Sequence, residues 1–87
     1  MNNNDIRILG VLIRDRENKS QSVQNLLTKY GCSIKTRLGL HEVDNVSCSS
    51  CGLMILELIG DKSEMEKLEN ELIKIENVEV QKMIFDL

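Results

Sequence analysis

Aromatic side chains are nearly missing from this sequence: it has no Trp, and Tyr30 and Phe85 are its only Tyr and Phe. Proline is absent as well. An RNA-binding stacking platform or an aromatic cage needs several π-faces on one surface, so both are excluded. A basic excess is missing too, since 11 Lys and Arg stand against 14 Asp and Glu, for a net charge of −3. Direct nucleic-acid binding is therefore not expected without a local basic patch. No apolar run is long enough to cross a bilayer; the best candidate, Leu53 to Ile59, is short and interrupted by Glu57, and no membrane association is expected. The opening residues, Met1 to Asp5, lack the basic start and long apolar stretch of a secretory signal. Cysteines number three, an odd count that does not suit a closed disulfide framework. A reducing, cytoplasmic setting is expected, with thiols free or holding metal.

What is present suits one small folded unit. The 87 residues, 41% apolar and 29% charged, are read as a single domain over 1–87 with residues 1–4 flexible. From Asp5 to Arg14 apolar residues occupy both parities, with Ile6, Ile8 and Leu12 on one and Leu9, Val11 and Ile13 on the other. That pattern predicts a central strand. Asn18 with Gln21 resembles a capping box opening a helix that presents Val23, Leu26, Leu27 and Tyr30. Gly31 is placed as the left-handed residue closing it. Ile34, Thr36, Leu38 and Leu40 then alternate with Lys35, Arg37, Gly39 and His41, as in a half-buried strand.

After a polar loop, Asp44 to Ser50, a strand from Leu53 to Gly60 is again apolar on both faces apart from Glu57. Ser63 and Glu66 suggest a capping box for a second helix that presents Met65, Leu68, Leu72 and Ile75. Its polar residues, Glu64, Glu66, Lys67, Glu69, Asn70, Glu71 and Lys74, read as a solvated face. Asn77 breaks the helix, and Val78 to Phe85 alternate as a last strand. A shift of 46 residues lays Asp15 on Asp61, Leu26 on Leu72, Ile34 on Val80 and Leu38 on Ile84. Two copies of a strand–helix–strand unit with right-handed crossovers give an α+β, ferredoxin-like βαββαβ fold. Its four-stranded antiparallel sheet has both helices on one face, with strands one and three central.

Two helices cover only one face of such a sheet, yet the central strands are apolar on both. The uncovered face, flanked by Met83 and Phe85 or their neighbours, should therefore find a companion, and a homo-oligomer is expected.

The most conspicuous motif is Cys48-Ser49-Ser50-Cys51, in the hairpin between strands two and three. Two thiolates at this spacing can chelate one zinc or iron ion, and His41, at the base of the same loop, is a candidate third ligand. A redox pair and incidental loop cysteines are the alternatives. Cys32 lies at the opposite end of strand two and is read as a small buried residue behind the helix end.

The first loop, Arg14-Asp15-Arg16-Glu17-Asn18-Lys19, holds no cysteine, which argues against the copper delivery of ferredoxin-like metallochaperones. Acylphosphatases share the topology and cradle phosphate in a glycine-rich first loop with an arginine. Here Arg14 and Arg16 are present without glycine, and Asp15 and Glu17 would repel an anion. An internally paired, solvated charge cluster is the expected reading. His41 is the only histidine, no nucleophile–base arrangement is placed beside it, and catalysis is not expected.

The stretches Ile8-Leu9-Gly10-Val11-Leu12-Ile13-Arg14-Asp15-Arg16-Glu17 and Arg37-Leu38-Gly39-Leu40, with the closing helix before Val78-Glu79-Val80, resemble the small ACT-like regulators of iron-only hydrogenase systems. The resemblance spans nearly the whole chain. It implies an ACT-type fold, homo-oligomeric assembly and a regulatory or sensor role, with no particular ligand. That family is also similar to the C-terminal metal-sensing domain of the nickel-responsive repressor, where His41 and Cys48 or Cys51 roughly occupy ligand places. Arg37 and Gly39 stand where the repressor has further histidines, so a thiolate-rich site would prefer zinc or iron to nickel. Asp5 already begins the first strand, so an effect on transcription is expected to pass through a protein partner. ACT amino-acid sensors usually carry a glycine in the first loop, where this chain has Arg16-Glu17-Asn18.

Overall fold

The computed structural model describes residues 5–40 and 51–87. In chain order they form β1 (Asp5–Ile13), α1 (Arg16–Lys29), a 3₁₀ turn (Gly31–Ser33), β2 (Ile34–Leu40), β3 (Gly52–Leu58), α2 (Lys62–Ile73) and β4 (Val78–Asp86). The strands make one antiparallel sheet in the order β2-β3-β1-β4, with β1 and β3 at its centre. This is the ferredoxin-like arrangement the sequence pattern predicts. No described helix is long and apolar enough to cross a membrane.

The period-2 alternation of the strands decides where the core lies. Leu9, Val11 and Ile13 of β1 and Met54, Leu56 and Leu58 of β3 are buried beneath Val23, Leu27 and Tyr30 on the α1 side and Met65, Leu68 and Leu72 of α2. Across β1 and β3, Leu9 pairs with Leu56 and Val11 with Met54, so one parity of both central strands meets the helices. Burying a side chain such as Leu56 contributes about 1.5–3 kcal/mol. The opposite parity stays uncovered. Among the described side chains it carries Ile6, Ile8 and Leu12 of β1, Leu53, Ile55 and Glu57 of β3, Thr36 and Leu38 of β2, and Glu79, Gln81, Met83 and Phe85 of β4.

The repeat is real at the helix starts. Asp15 and Asp61, 46 residues apart, are the two N-cap residues. Both helices thus begin earlier than their capping-box patterns suggest. Asn18 lies inside α1 and donates from Nδ2 to the Asp15 carboxylate at 3.1 Å. Asp61 Oδ1 accepts the Ser63 amide at 3.1 Å, satisfying one of the orphan N–H groups of α2. The repeat fails further on, in β2. A register shift between Ile34 and Thr36 leaves Ile34 paired with Leu58 in the core, whereas Leu38 pairs with Ile55 on the uncovered face. Ile84, its repeat mate, pairs with Arg7 on the helix side. Alternation alone could not show this bulge, and the half-buried reading of β2 is corrected: Lys35 to Gly39 are all exposed.

Four further expectations need correction. Gly31 is not left-handed; Gly60, at φ 92°, is the positive-φ glycine among the described residues, and α1 instead runs into the 3₁₀ turn. That turn buries Ser33 and leaves Cys32 exposed, because the tighter winding points the next residue inward. The polar face of α2 is not wholly wet either. Glu69 is buried at 8% exposure and its Oε2 lies 3.1 Å from Lys82 Nζ on β4. Nor does Asn77 break α2: the helix closes at Ile73 with Lys74 as its C-cap, and Asn77, at φ 68°, lies in the turn just before β4.

Candidate ligand site

The end of the sheet where the first loop meets the start of β3 gathers most of the polar groups singled out in the sequence. Arg14 leaves β1 with its amide donated to the Asn77 carbonyl at 2.7 Å, which ties the loop to the turn before β4. Its guanidinium donates to Glu79 Oε1 at 2.8 Å, and Gln81 Nε2 donates to Glu79 Oε2 at 3.0 Å. Those two bonds, that from Gln81 foremost, hold the Glu79 carboxyl below the usual carboxylate range. The charge cluster is only partly paired within the loop: Asp15 accepts from Asn18, whereas Arg14 reaches across to Glu79 of β4.

Beside this cluster a cleft of about 230 Å³ opens between α1 and the β2–β3 edge. Arg16, Ser20 and Gln24 line it from α1, one turn apart along a single row. Gly39, Gly52 and Met54 form its floor, with Ile13 and Leu53 alongside. Gly39 pairs with Met54 and Gly52 with Ile13, so both glycines belong to the helix-facing parity. Two missing side chains there leave unfilled space between α1 and the sheet, which the cleft occupies. A Cβ at Gly52 would come within 3.2 Å of Arg16 Cδ, so glycine at this position lets the arginine stem cross β3. Arg37 of β2 donates to Gln24 Oε1 and closes one side.

Of the sequence-predicted metal residues, Cys51 is half-buried just before β3, with its sulfur 4.0 Å from the Arg14 carbonyl oxygen. His41 and Cys48 lie outside the described residues. Among the described residues no group of three or more His, Cys, Asp or Glu is placed to hold a metal ion. The cleft offers a guanidinium, a hydroxyl and a carboxamide, a set suited to a small polar or anionic ligand. Sequence reading named Arg16 as part of the first loop but missed Ser20 and Gln24. The four-residue spacing from Arg16 was the available signal.

No family model matches the chain, and no curated protein matches it. Solved structures do. The uncharacterized protein TM1266 from Thermotoga maritima is 25% identical, with 91% of this chain and 94% of that chain covered and a TM-score of 0.77. CPII, a nitrogen regulatory PII-like protein from Thiomonas intermedia K12 bound to ADP, AMP and bicarbonate, is similar over 95% of this chain and 90% of its own, at 9% identity and TM-score 0.65. Formyltetrahydrofolate deformylase from Burkholderia mallei is similar over 93% of this chain but 28% of its own, at 16% identity and TM-score 0.60. The last two likenesses are of fold.

Proposed function

We propose that the protein is a non-catalytic regulatory or sensor module of ACT type, self-associating, that binds a small anionic effector in the cleft between α1 and the β2–β3 edge. The row Arg16, Ser20 and Gln24 over the Gly39 and Gly52 floor carries this reading. A cleft of about 230 Å³ suits a small oxyanion or carboxylate better than a whole nucleotide. Bicarbonate, one of the ligands in the CPII structure, is of that size and charge. The resemblance of the strand motifs to iron-only hydrogenase system regulators points to the same regulatory class.

Titration calorimetry with bicarbonate, acetate, AMP and ADP tests the reading. Saturable binding of a small anion that falls at least about tenfold in Arg16→Ala is the expected result. Binding unchanged by Arg16→Ala, or none of the four ligands bound, would overturn it.

A second reading has its own observation: Cys51 stands at the first loop, against the Arg14 carbonyl. A thiolate site of Cys48 and Cys51, joined by His41, would hold zinc or iron. Elemental analysis of anaerobically purified protein decides it. Near-stoichiometric metal, lost in the Cys48→Ser/Cys51→Ser variant, supports this second reading; metal content that the substitutions leave unchanged ends it.

A further inference from the structure

Arginines stand at both ends of the cleft between α1 and the β2–β3 edge. Arg37 pairs with Leu56 and Gly39 with Met54, so Arg37 lies on the helix-facing side of β2, beside the Gly39 floor. Its guanidinium donates to Gln24 Oε1, and Gln24 lines the cleft from α1. Arginine has no acceptor, so the Gln24 oxygen faces it and the Nε2 donor is turned away from it. At the other end the Arg16 stem lies against Gly52. Two rulers give the separation. From Arg16 to Gln24 is about 12 Å along the helix. From Gly52 to Leu56, the β3 partner of Arg37, is about 13 Å along the strand. Between the ends lie Met54, the bare backbone of Gly39 and, from the helix, Ser20. Arg37 donates to a neutral carboxamide, whereas Arg14 is paired with the Glu79 carboxylate.

We propose that the effector of this cleft is a small dicarboxylate, with one carboxylate on Arg16 and the other on Arg37 beside the Gln24 amide. The inference rests on the anion-cleft reading above and deepens it by naming the ligand class. A guanidinium matches a carboxylate through its paired N–H donors. With the Arg16 stem over Gly52 and Arg37 held at Gln24, a compact oxyanion on one guanidinium leaves the other unmet. A molecule with an anionic group at each end meets both. The middle of the cleft suits the carbon chain between them, because Ile13, Leu53 and Met54 offer it apolar surface. Linking two carboxylates makes the second contact intramolecular, so affinity rises above that of a single carboxylate without a new kind of contact. Arg37 thereby sets specificity, separating a dicarboxylate from a monocarboxylate that Arg16 alone would hold.

Titration calorimetry with acetate, inorganic phosphate, succinate, glutarate and adipate provides the test. Affinity should peak within the dicarboxylate series, at least about tenfold above both acetate and phosphate. Arg37→Ala, at an exposed position, should abolish that margin and reduce the dicarboxylates to the affinity of acetate. The ratio of dicarboxylate to acetate affinity is the readout, since a damaged fold would lower both. Arg37→Lys, which keeps the charge without the paired donors, should restore part of the ratio. Arg16→Ala should weaken every ligand. Dicarboxylates bound no better than acetate, phosphate bound as tightly as the best of them, or a ratio that survives Arg37→Ala would overturn the dicarboxylate assignment and leave the anion cleft standing. No anion bound, or binding indifferent to Arg16→Ala, would remove the cleft reading as well.

Discussion

The Tyr30 hydroxyl, at the residue closing α1, donates to Glu71 Oε2 on α2 at 2.6 Å. The two helices, which share one face of the sheet, are thereby fastened to each other by a charge-assisted hydrogen bond. Lys29 Nζ lies 3.5 Å from the same carboxylate oxygen and 5.3 Å from the Tyr30 ring centroid. The bond holds the proton on tyrosine, whose pKa is pushed from 10.0 up to about 12, chiefly by the Glu71 carboxylate and then by burial. Glu71 moves the other way, held below its ordinary value first by the tyrosine.

Because Tyr30 is the only tyrosine in a chain without tryptophan, its phenolate absorbance can be followed without interference. The folded protein should titrate near 12, and Glu71→Gln should bring the midpoint back toward 10.0. A raised folded pKa means that the tyrosine's contribution to stability is fully present below pH 10.0 and lost as pH rises toward about 12. The contribution of Glu71, whose folded pKa is lowered, is present above its ordinary 4.5 and lost as pH falls through the lowered value. A wild-type midpoint at the ordinary value in the folded protein would contradict the bond.

This fastening was not legible in the sequence, and the reason is general to the chain. Periodicity reports which residues lie on a face, and it located the order of elements and an uncovered sheet face, but with β1 and β3 apolar on both parities it did not decide which parity is the core. It does not report how a helix is rotated on the sheet. Glu69 and Glu71 therefore read as solvated, although one reaches Lys82 on β4 and the other Tyr30. A one-residue bulge has a similar effect in β2, where it moves Leu38 to the face opposite Ile34. The candidate cleft was half legible: Arg16 stood out by charge, whereas Gly39 and Gly52 matter through missing atoms, whose effect depends on the pairing of three strands.

Arg7 and its neighbour Asp5 are charged residues on the helix-facing parity of β1. Arg7 is buried at 3% exposure, its Nε has no hydrogen-bond partner, and Asp5 Oδ2 lies 3.7 Å from Nη2. Its cross-strand neighbours are Leu58 and Ile84. A buried donor without a partner costs about 1–3 kcal/mol, and apolar replacement of buried ions is often neutral or stabilising. Arg7→Met combined with Asp5→Leu, which removes both ions, should therefore leave stability unchanged or raise it by on the order of 1 kcal/mol in urea unfolding, whereas Arg7→Met alone strands the Asp5 carboxylate and should destabilise. A loss above about 2 kcal/mol in the double variant would show that the guanidinium makes a stabilising contact.

Two glycines exposed to solvent should respond oppositely to alanine. Gly60, between β3 and α2, has φ 92°, where an L side chain is strained even though open space surrounds it. Gly39 also has nothing within 4 Å of an added Cβ, and its φ is not positive. Gly60→Ala should cost about 1 kcal/mol or more, whereas Gly39→Ala should be neutral or slightly stabilising. The second variant should still narrow the cleft and weaken anion binding. Thermal melts beside calorimetry separate the two effects, and equal stability losses at both sites would contradict the backbone argument.

Cys32 and Cys51 should differ in their response to alkylation. Cys32 sits exposed in the 3₁₀ turn at the end of the sheet away from the first loop. Cys51 is half-buried, its sulfur 4.0 Å from the Arg14 carbonyl oxygen. Reaction with iodoacetamide requires a thiolate that the reagent can approach from the side opposite the leaving iodide, so access sets the order when neither thiol is specially activated. Peptide mapping of the native protein after brief exposure should find Cys32 modified first, and after denaturation the two should react alike. If Cys51 led in the native protein, its thiol would be activated by its surroundings, and the thiol-hairpin reading would gain over the anion cleft. The same experiment in saturating bicarbonate should slow Cys51 and leave Cys32 unaffected, because only Cys51 adjoins the cleft through Gly52.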